Sequence, residues 1–259
     1  MTGFNKETYS TLSNNKDICI VIPTYNNEQT IGKVVERTLQ FSYPVIVVND
    51  GCTDSTMQLL KQFEGRITVI NKQKNSGKGN ALKSGLEQAR ALGFRYAITL
   101  DADGQHYPED IPLFAKEIEE HPDTLIVGSR VLQNENMSKN STFANRFSNF
   151  WFYIQTGKNL PDTQTGYRLY PLKKMKRLSW LTAKYEAELE LLVFSAWHGI
   201  TLRPIPIRVY YPPREERVSH FRPFADFARI SLLNTFLCFA AIVYGLPLRV
   251  YHSLRRTAQ

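Results

Sequence analysis

The sequence predicts an α/β fold: a mostly parallel sheet covered by helices on both faces. Two observations carry that expectation. Short apolar runs alternate with stretches of helical periodicity, and the residues just beyond the apolar runs are polar or charged. Strands separated by helices imply right-handed parallel crossovers, and ligands of such sheets bind beyond the carboxyl ends of the strands.

Ile18 to Ile22 is the first buried-strand run, closed by Pro23. Ile31 to Leu39 follows as a helix with Ile31, Val34, Val35 and Leu39 on one face. Val45 to Val48 is a second strand, stopped by Asn49-Asp50-Gly51, after which Asp54 or Ser55 caps a helix running to Phe63. Ile67 to Ile70 is a third strand. Asn80 to Leu92 is a helix carrying Ala81, Leu82, Leu86 and Ala89. Tyr96 to Leu100 is a fourth strand, Pro108 opens the next helix, and Leu125 to Val127 is a fifth strand. The carboxyl ends of these strands carry Tyr25, Asp50, Asn75 to Gly79, Asp101 to Gln105 and Arg130.

Composition bounds the rest. With 259 residues, 42% hydrophobic and 22% charged, the chain can bury a sizeable core and reads neither as disordered nor as a multi-span membrane protein. A globular domain is expected over 1–222 and a C-terminal helical segment over 223–259. The net charge of +8 suits an anionic partner such as a phosphorylated ligand or an acidic lipid headgroup. Nucleic acid is set aside, because the basic residues cluster with aromatics beside apolar segments in the C-terminal half. Cys19, Cys52 and Cys238 lack the number and spacing of a disulfide framework or a zinc site, which points to reduced cysteines. Met1 to Lys16 is polar, without the apolar core of a signal peptide, so a cytoplasmic location is expected.

Asp101-Ala102-Asp103-Gly104-Gln105-His106 is the strongest chemical signal. Two carboxylates at i and i+2 beyond a strand can turn toward one hard cation, and Mg²⁺ or Mn²⁺ takes oxygen ligands while bridging to substrate phosphates. Gln105 adds a neutral oxygen. The bland reading is an acidic turn before the helix that Pro108 opens. Asp50 is placed to accept hydrogen bonds from a base or ribose, or simply to shape the strand-to-helix turn with Gly51. Asn75-Ser76-Gly77-Lys78-Gly79-Asn80 lacks the upstream glycine and the Ser or Thr of a phosphate-binding P-loop. It remains a loop that brings Lys78 toward a nucleotide.

Together these pieces resemble one family. Val21-Ile22-Pro23-Thr24-Tyr25-Asn26, Val48-Asn49-Asp50-Gly51-Cys52-Thr53-Asp54, Gly77-Lys78-Gly79-Asn80-Ala81 and the Asp101 to His106 run occur in the order and spacing of family 2 glycosyltransferases. Gly128-Ser129-Arg130, Asp162 to Arg168, Glu188 to Leu192 and Pro204 to Arg208 extend the likeness, which covers about Ile18 to Arg222. The chain looks most like the branch that makes dolichyl- or polyprenyl-phosphate sugars. Asn27 and then Glu28 stand where that branch often has Glu directly, and Ser219-His220 where it favours Ser-Lys. The Gln-X-X-Arg-Trp motif of processive synthases is absent, so repeated chain extension is not expected.

The resemblance implies a GT-A fold, which is Rossmann-like, and a metal-dependent, inverting transfer from a GDP- or UDP-sugar. Pro23, Thr24, Tyr25, Asn27, Asp50, Lys78, Asp101, Ala102 and Asp103 would surround the donor. Asp101, Asp103 and Gln105 would hold the metal, and Arg130, Arg168, Arg214 and His220 would meet donor or acceptor phosphates. Asp103, Arg130, Asp162, Arg168, Glu188 and Glu190 make the catalytic set. A lipid phosphate acceptor is already an anionic nucleophile; a lipid hydroxyl would need Asp162, Glu188 or Glu190 as base. Glu188 and Glu190 alternate on a helix and so face different ways. Two other readings are transfer to a lipid hydroxyl and a nucleotide-sugar-binding module without turnover.

Two segments point to a membrane. Phe143, Phe147, Phe150, Trp151 and Ile154 follow helical spacing among Lys139, Arg146 and Lys158, the pattern of an interfacial helix over about 139–158. Ile230 to Leu246 is mostly apolar but, at about 1.5 Å per residue, shorter than a hydrocarbon core of about 30 Å. Arg249, Arg255 and Arg256 follow it. The expectation is a monotopic or re-entrant helix pair broken near Gly245 and Pro247, at the cytoplasmic face, with a single span as the alternative.

Overall fold

The computed structural model describes residues 17–130, 139–177, 181–211, 223–248 and 250–251. Its first half follows the sequence closely. β1 (Ile18–Thr24), α1 (Ile31–Leu39), β2 (Val45–Asn49), α2 (Thr56–Lys61), β3 (Thr68–Asn71), α3 (Lys78–Ala91) and β4 (Tyr96–Thr99) alternate. A 3-10 turn at Pro108–Asp110 leads into α4 (Ile111–Glu120), and β5 (Leu125–Arg130) follows. Pro108 opens the turn because its ring fixes a helical φ where no backbone donor is needed. Asp54 takes the capping role by accepting the Thr56 amide at 3.0 Å.

The second half adds α5 (Lys139–Thr156), β6 (Arg168–Pro171), α6 (Glu186–Trp197), β7 (Leu202–Ile207) and α7 (Pro223–Ala240). The sheet has seven strands in the order β3-β2-β1-β4-β6-β5-β7. β6 lies antiparallel between β4 and β5, while the other neighbours are parallel. β7 carries Pro204 and Pro206, and it is an edge strand, where a missing N–H disrupts no inner ladder.

Strand alternation divides the core. Ile18, Ile20 and Ile22 of β1 face one layer with Val34 and Val35 of α1 and Phe114 of α4. Cys19 and Val21 face the other, where α3, α5, α6 and α7 pack. Leu233, Leu237 and Ala241 belong to this second layer, so the C-terminal segment shares the core of the sheet domain. Cys19, Cys52 and Cys238 are free thiols.

The C-terminal helix corrects one expectation. No break occurs at Gly245: α7 passes through a π-helical turn, Ala241–Gly245, and helix continues over 246–248. The Leu246 amide reaches back to Ala241 O, the wider spacing of a π turn. This shift in register comes just before Pro247, which has no N–H to donate. The apolar stretch Ala228–Leu248 is therefore 21 residues long, and an 18-residue window within it has a mean hydropathy of 1.8. Its inner face is held by the domain. Gln155 Nε2 bonds Asn234 Oδ1 at 2.9 Å, Trp197 Nε1 bonds Gln155 O at 2.9 Å, and Gly245 lies against the Trp197 ring. The outer face is bare: Leu232, Phe236, Phe239, Ile242, Val243 and Leu246 are exposed. On neighbouring α5, Phe150, Tyr153 and Ile154 are exposed too, while Ser148, Phe152, Gln155 and Thr156 pack inward.

Candidate functional site

The carboxyl ends of β1, β2 and β4 converge on one acidic and basic cluster. Asp50, just past β2, is buried and organises the loop before α3. Its carboxylate accepts the Ser76 hydroxyl at 2.6 Å, the Ser76 amide at 3.1 and 3.2 Å and the Gly77 amide at 2.8 Å, and Lys72 Nζ lies 3.5 Å away. That loop starts α3 at Lys78, whose ammonium reaches Asp101 Oδ1 at 2.8 Å and Glu188 Oε2 at 3.1 Å. Asp50 is therefore linked to Asp101 through residues 76–78. The same bonds give Asp50 a structural role that the sequence alone left open.

Electrostatics follow this geometry. Burial opposes the Asp101 charge, but Lys78, then His106, outweigh it and hold the carboxyl below the usual range. Burial, and then the Asp101 charge, push the Asp103 carboxyl up. Burial also works against the Lys78 ammonium, yet Asp101 and Glu188 raise its pKa. Gly166 leaves room for this cluster, since a Cβ there would lie 2.8 Å from Asp101 Oδ2 and 3.0 Å from Glu188 Oε1.

The loop after Asp101 is fixed from both sides. The Gln105 amide donates to Asp103 Oδ1 at 2.9 Å, and Gln105 O accepts the Tyr210 amide at 2.8 Å. His106 is buried, with Nδ1 3.4 Å from the Asp101 amide and its ring 5.1 Å from that of Tyr167. Thr30 Oγ1 donates to Ala102 O at 2.6 Å. Among the described residues no three His, Cys, Asp or Glu gather as a metal cage. Asp101 and Asp103 offer two carboxylates in one electrostatic space. That donor set suits Mg²⁺ or Mn²⁺, which keep water and substrate-phosphate ligands, better than a closed structural ion.

Thr24 and Asn27 shape the β1 end, with Asn27 Nδ2 donating to Thr24 Oγ1 at 3.2 Å and to Tyr25 O at 3.1 Å. Pro23 and Tyr25 are half-buried beside them.

The arginines separate. Arg130 ends β5 and forks onto Asp162, with Nε at 2.6 Å and Nη2 at 2.9 Å. Burial opposes its charge, while Asp162, Tyr211 and Asp101 raise its pKa, so Arg130 feels the acidic cluster. Arg168 does not meet the expectation of a phosphate contact. It is fully buried in β6, donating to Glu188 O at 2.7 Å and Thr163 O at 3.0 Å, because an inner strand has no solvent-facing side. Asp162 and Glu190 are also committed: Asp162 to Arg130, and Glu190 to the Leu181 and Thr182 amides at 2.8 and 2.9 Å. Glu188 and Glu190 do face different ways. Arg214 and His220 lie outside the described residues.

Sequence reasoning missed Ser76 and Gly77, which anchor Asp50, and the pair Asp110–Arg208, where Arg208 Nη2 meets Asp110 Oδ1 at 2.6 Å. Arg208 and Arg37 each lie 5.4 Å from the Tyr107 ring and brace the loop behind His106. The Arg closing Pro204 to Arg208 was the visible trace of that brace, while Asp110, two residues beyond Pro108, carried no signal of its own.

The family described as Glycosyl transferase family 2 matches residues 19–178. A UDP-N-acetylglucosamine–dolichyl-phosphate N-acetylglucosaminyltransferase of Methanococcus voltae is 31% identical over 218 residues, covering 76% of this chain and 86% of the relative. A dodecaprenyl-phosphate galacturonate synthase of Rhizobium johnstonii is 35% identical over 124 residues, 44% of this chain and 36% of the relative. Among solved structures, glucosyl-3-phosphoglycerate synthase from Mycobacterium tuberculosis, in complex with Mn²⁺, UDP-glucose and phosphoglyceric acid, superimposes with a TM-score of 0.62 at 16% identity. That superposition covers 88% of this chain and 79% of the other, and it establishes the likeness of fold.

Proposed function

We propose that this chain, which belongs to glycosyl transferase family 2, moves a sugar from a nucleotide-sugar donor to a polyprenyl-phosphate lipid. The observation that carries this reading is the convergence of Asp50, Lys78, Asp101, Asp103 and Glu188 at the carboxyl edge of a GT-A-like sheet, in a chain whose relatives of known activity act on polyprenyl phosphates. The donor is a UDP- or GDP-sugar, with its nucleoside at Pro23, Thr24 and Tyr25.

Mg²⁺ or Mn²⁺ held by Asp101 and Asp103, with Gln105 as a further oxygen ligand, would neutralise charge on the leaving diphosphate. Lys78 adds a second positive charge beside that position. Arg130, its fork fixed by Asp162, presents its remaining donors toward the phosphates. Ala102 and the bonds on Gln105 hold the loop rigid, so little reorganisation is needed as charge develops.

The acceptor follows from what the carboxylates already do. Asp162, Glu188 and Glu190 are each bonded to a cation or to backbone amides, which leaves none poised as a base. A lipid phosphate brings its own negative charge and needs no base. Attack in line with the leaving diphosphate then gives inversion at the anomeric carbon by a single displacement.

The chain works, in this reading, as a peripheral enzyme at the cytoplasmic face of a membrane. The bare faces of α5 and α7 lie on the bilayer while the inner face of α7 stays packed on the domain. A crossing helix would have to leave those contacts.

The test is transfer of label from a panel of UDP- and GDP-sugars to polyprenyl phosphate, with a hydroxylated lipid in parallel. An acid-labile product made only from polyprenyl phosphate supports the proposal. Label reaching only the hydroxylated lipid favours glycolipid synthesis. Donor binding with no transfer to either lipid favours a binding module.

A further inference from the structure

We infer that Lys78 is a resident counter-cation of the acidic cluster, which a divalent cation displaces from Asp101 and which then passes to the donor diphosphate. This rests on the metal reading above and deepens it by naming what the metal must evict.

The ground is a shared carboxylate. Lys78 Nζ lies 2.8 Å from Asp101 Oδ1 and 3.1 Å from Glu188 Oε2, and the Glu188 side chain keeps only 9% of its surface exposed. A carboxylate so far withdrawn from water requires a positive partner. The ring of Tyr185, 5.8 Å from the ammonium, adds a further favourable contact. A divalent ion on Asp101 would sit within a few ångströms of this ammonium, where like charges repel strongly in a partly buried site.

The backbone around Lys78 cannot withdraw. The Gly77 amide is held by Asp50 at 2.8 Å and the Asn80 amide by Ala183 O at 3.1 Å. A Cβ on Gly79 would lie 2.4 Å from the Ala187 Cβ, so the start of α3 is pressed against α6. The four-carbon side chain is the part free to swing. A donor diphosphate supplies the anion that takes the place of Asp101 beside the ammonium, while Glu188 keeps its own contact with it, so the site stays charge-balanced with and without substrate. Metal alone has to break the Lys78–Asp101 pair and leave the ammonium with Glu188 alone; metal arriving with a nucleotide diphosphate brings a replacement anion.

The experiment measures Mn²⁺ binding to the full chain by titration calorimetry and by the paramagnetic resonance of free Mn²⁺, with and without UDP or GDP. Lys78→Met is expected to bind Mn²⁺ about tenfold more tightly than wild type in the absence of nucleotide, and this advantage is expected to vanish when nucleotide is present. Lys72→Met, which removes a charge from the same loop but from Asp50, is expected to stay within about twofold of wild type. A second measurement needs no variant: acetylation of lysines by acetic anhydride, read by mass spectrometry, is expected to rise severalfold at Lys78 when Mn²⁺ is added.

Unchanged or weaker Mn²⁺ binding by Lys78→Met, in a protein that takes up Mn²⁺ with nucleotide, overturns the inference and leaves the metal reading standing. So does Lys78 acetylation that saturating Mn²⁺ does not alter. Absence of Mn²⁺ uptake by wild type even with nucleotide overturns the metal reading and this inference together.

Discussion

Asp162 takes both the Nε and the Nη2 of Arg130, at 2.6 and 2.9 Å, while having no solvent exposure of its own. A carboxylate held in that way orients a guanidinium and is not free to abstract a proton. Asp162→Asn should therefore lower kcat about 100-fold by loosening Arg130, the scale expected for losing one preorganised charge donor. It should also cost about 3 kcal/mol of stability, because it leaves Arg130 without its anion. Steady-state kinetics and denaturant unfolding of the variant would check the two effects, and a stable variant with wild-type kcat would remove the Asp162–Arg130 pair from the account of turnover.

Arg168 separates a structural role from a phosphate-binding one. Its guanidinium links the Glu188 carbonyl of α6 to the Thr163 carbonyl in the loop before β6. Arg168→Gln should unfold at lower denaturant concentration, by about 3 kcal/mol for a buried charged group stripped from its acceptors. Acceptor KM in the surviving folded fraction should change little. A stable variant with a raised acceptor KM would restore the phosphate assignment.

These two arginines also mark how far the sequence could be read. β1, β2 and β4 are continuous apolar runs of the kind that buried parallel strands require, and they were legible. β6 was not, because Arg168-Leu-Tyr-Pro places a charge in a strand buried along its whole length, which reads as a site motif. β7 was hidden by Pro204 and Pro206, which only its edge position tolerates. The pairing of Asp50 with Ser76 and Gly77 depends on β2 lying parallel to β3, a tertiary fact. The length of the C-terminal helix depended on a π turn that apolar composition does not encode.

Asp103 carries a pH signature. Its carboxyl is raised by burial and by Asp101, so its ionised form destabilises the folded chain. For an acid whose folded pKa lies above its unfolded pKa, stability is lost as pH rises from the unfolded toward the folded value. Asp103→Asn should thus melt at the same or a higher temperature than wild type near neutral pH, and the difference should close below the usual carboxylate range. Transfer should nevertheless fall by about 1,000-fold or more, the scale of removing a key electrostatic group. Thermal melts across pH, paired with the label-transfer assay, would check both halves. Undiminished transfer would count against the metal assignment.

The outer face of α7 tests the membrane reading without touching the chemistry. Phe239 is 69% exposed and Val243 80%, one helical turn apart on the side away from Trp197. Each gives up little folding energy when made polar, because neither side chain is buried by the protein. Transfer of such side chains into lipid is worth about 1.5–3 kcal/mol apiece, and the apolar stretch supplies several more. Phe239→Ser with Val243→Lys should therefore lower partitioning onto liposomes by about 100-fold or more, at two lost insertions and one added charge. The melting temperature should hold, and so should turnover with a short-chain polyprenyl phosphate that needs no bilayer. Gly245→Val probes the opposite face. A Cβ there would fall 2.6 Å from Trp197, so it should cost about 1–3 kcal/mol of stability through overpacking while leaving the lipid-facing side chains in place. Co-sedimentation with vesicles and thermal melts of the two variants should show opposite pairs of effects. Vesicle binding retained by the outer-face variant would mean that α7 is not what holds this enzyme to its lipid.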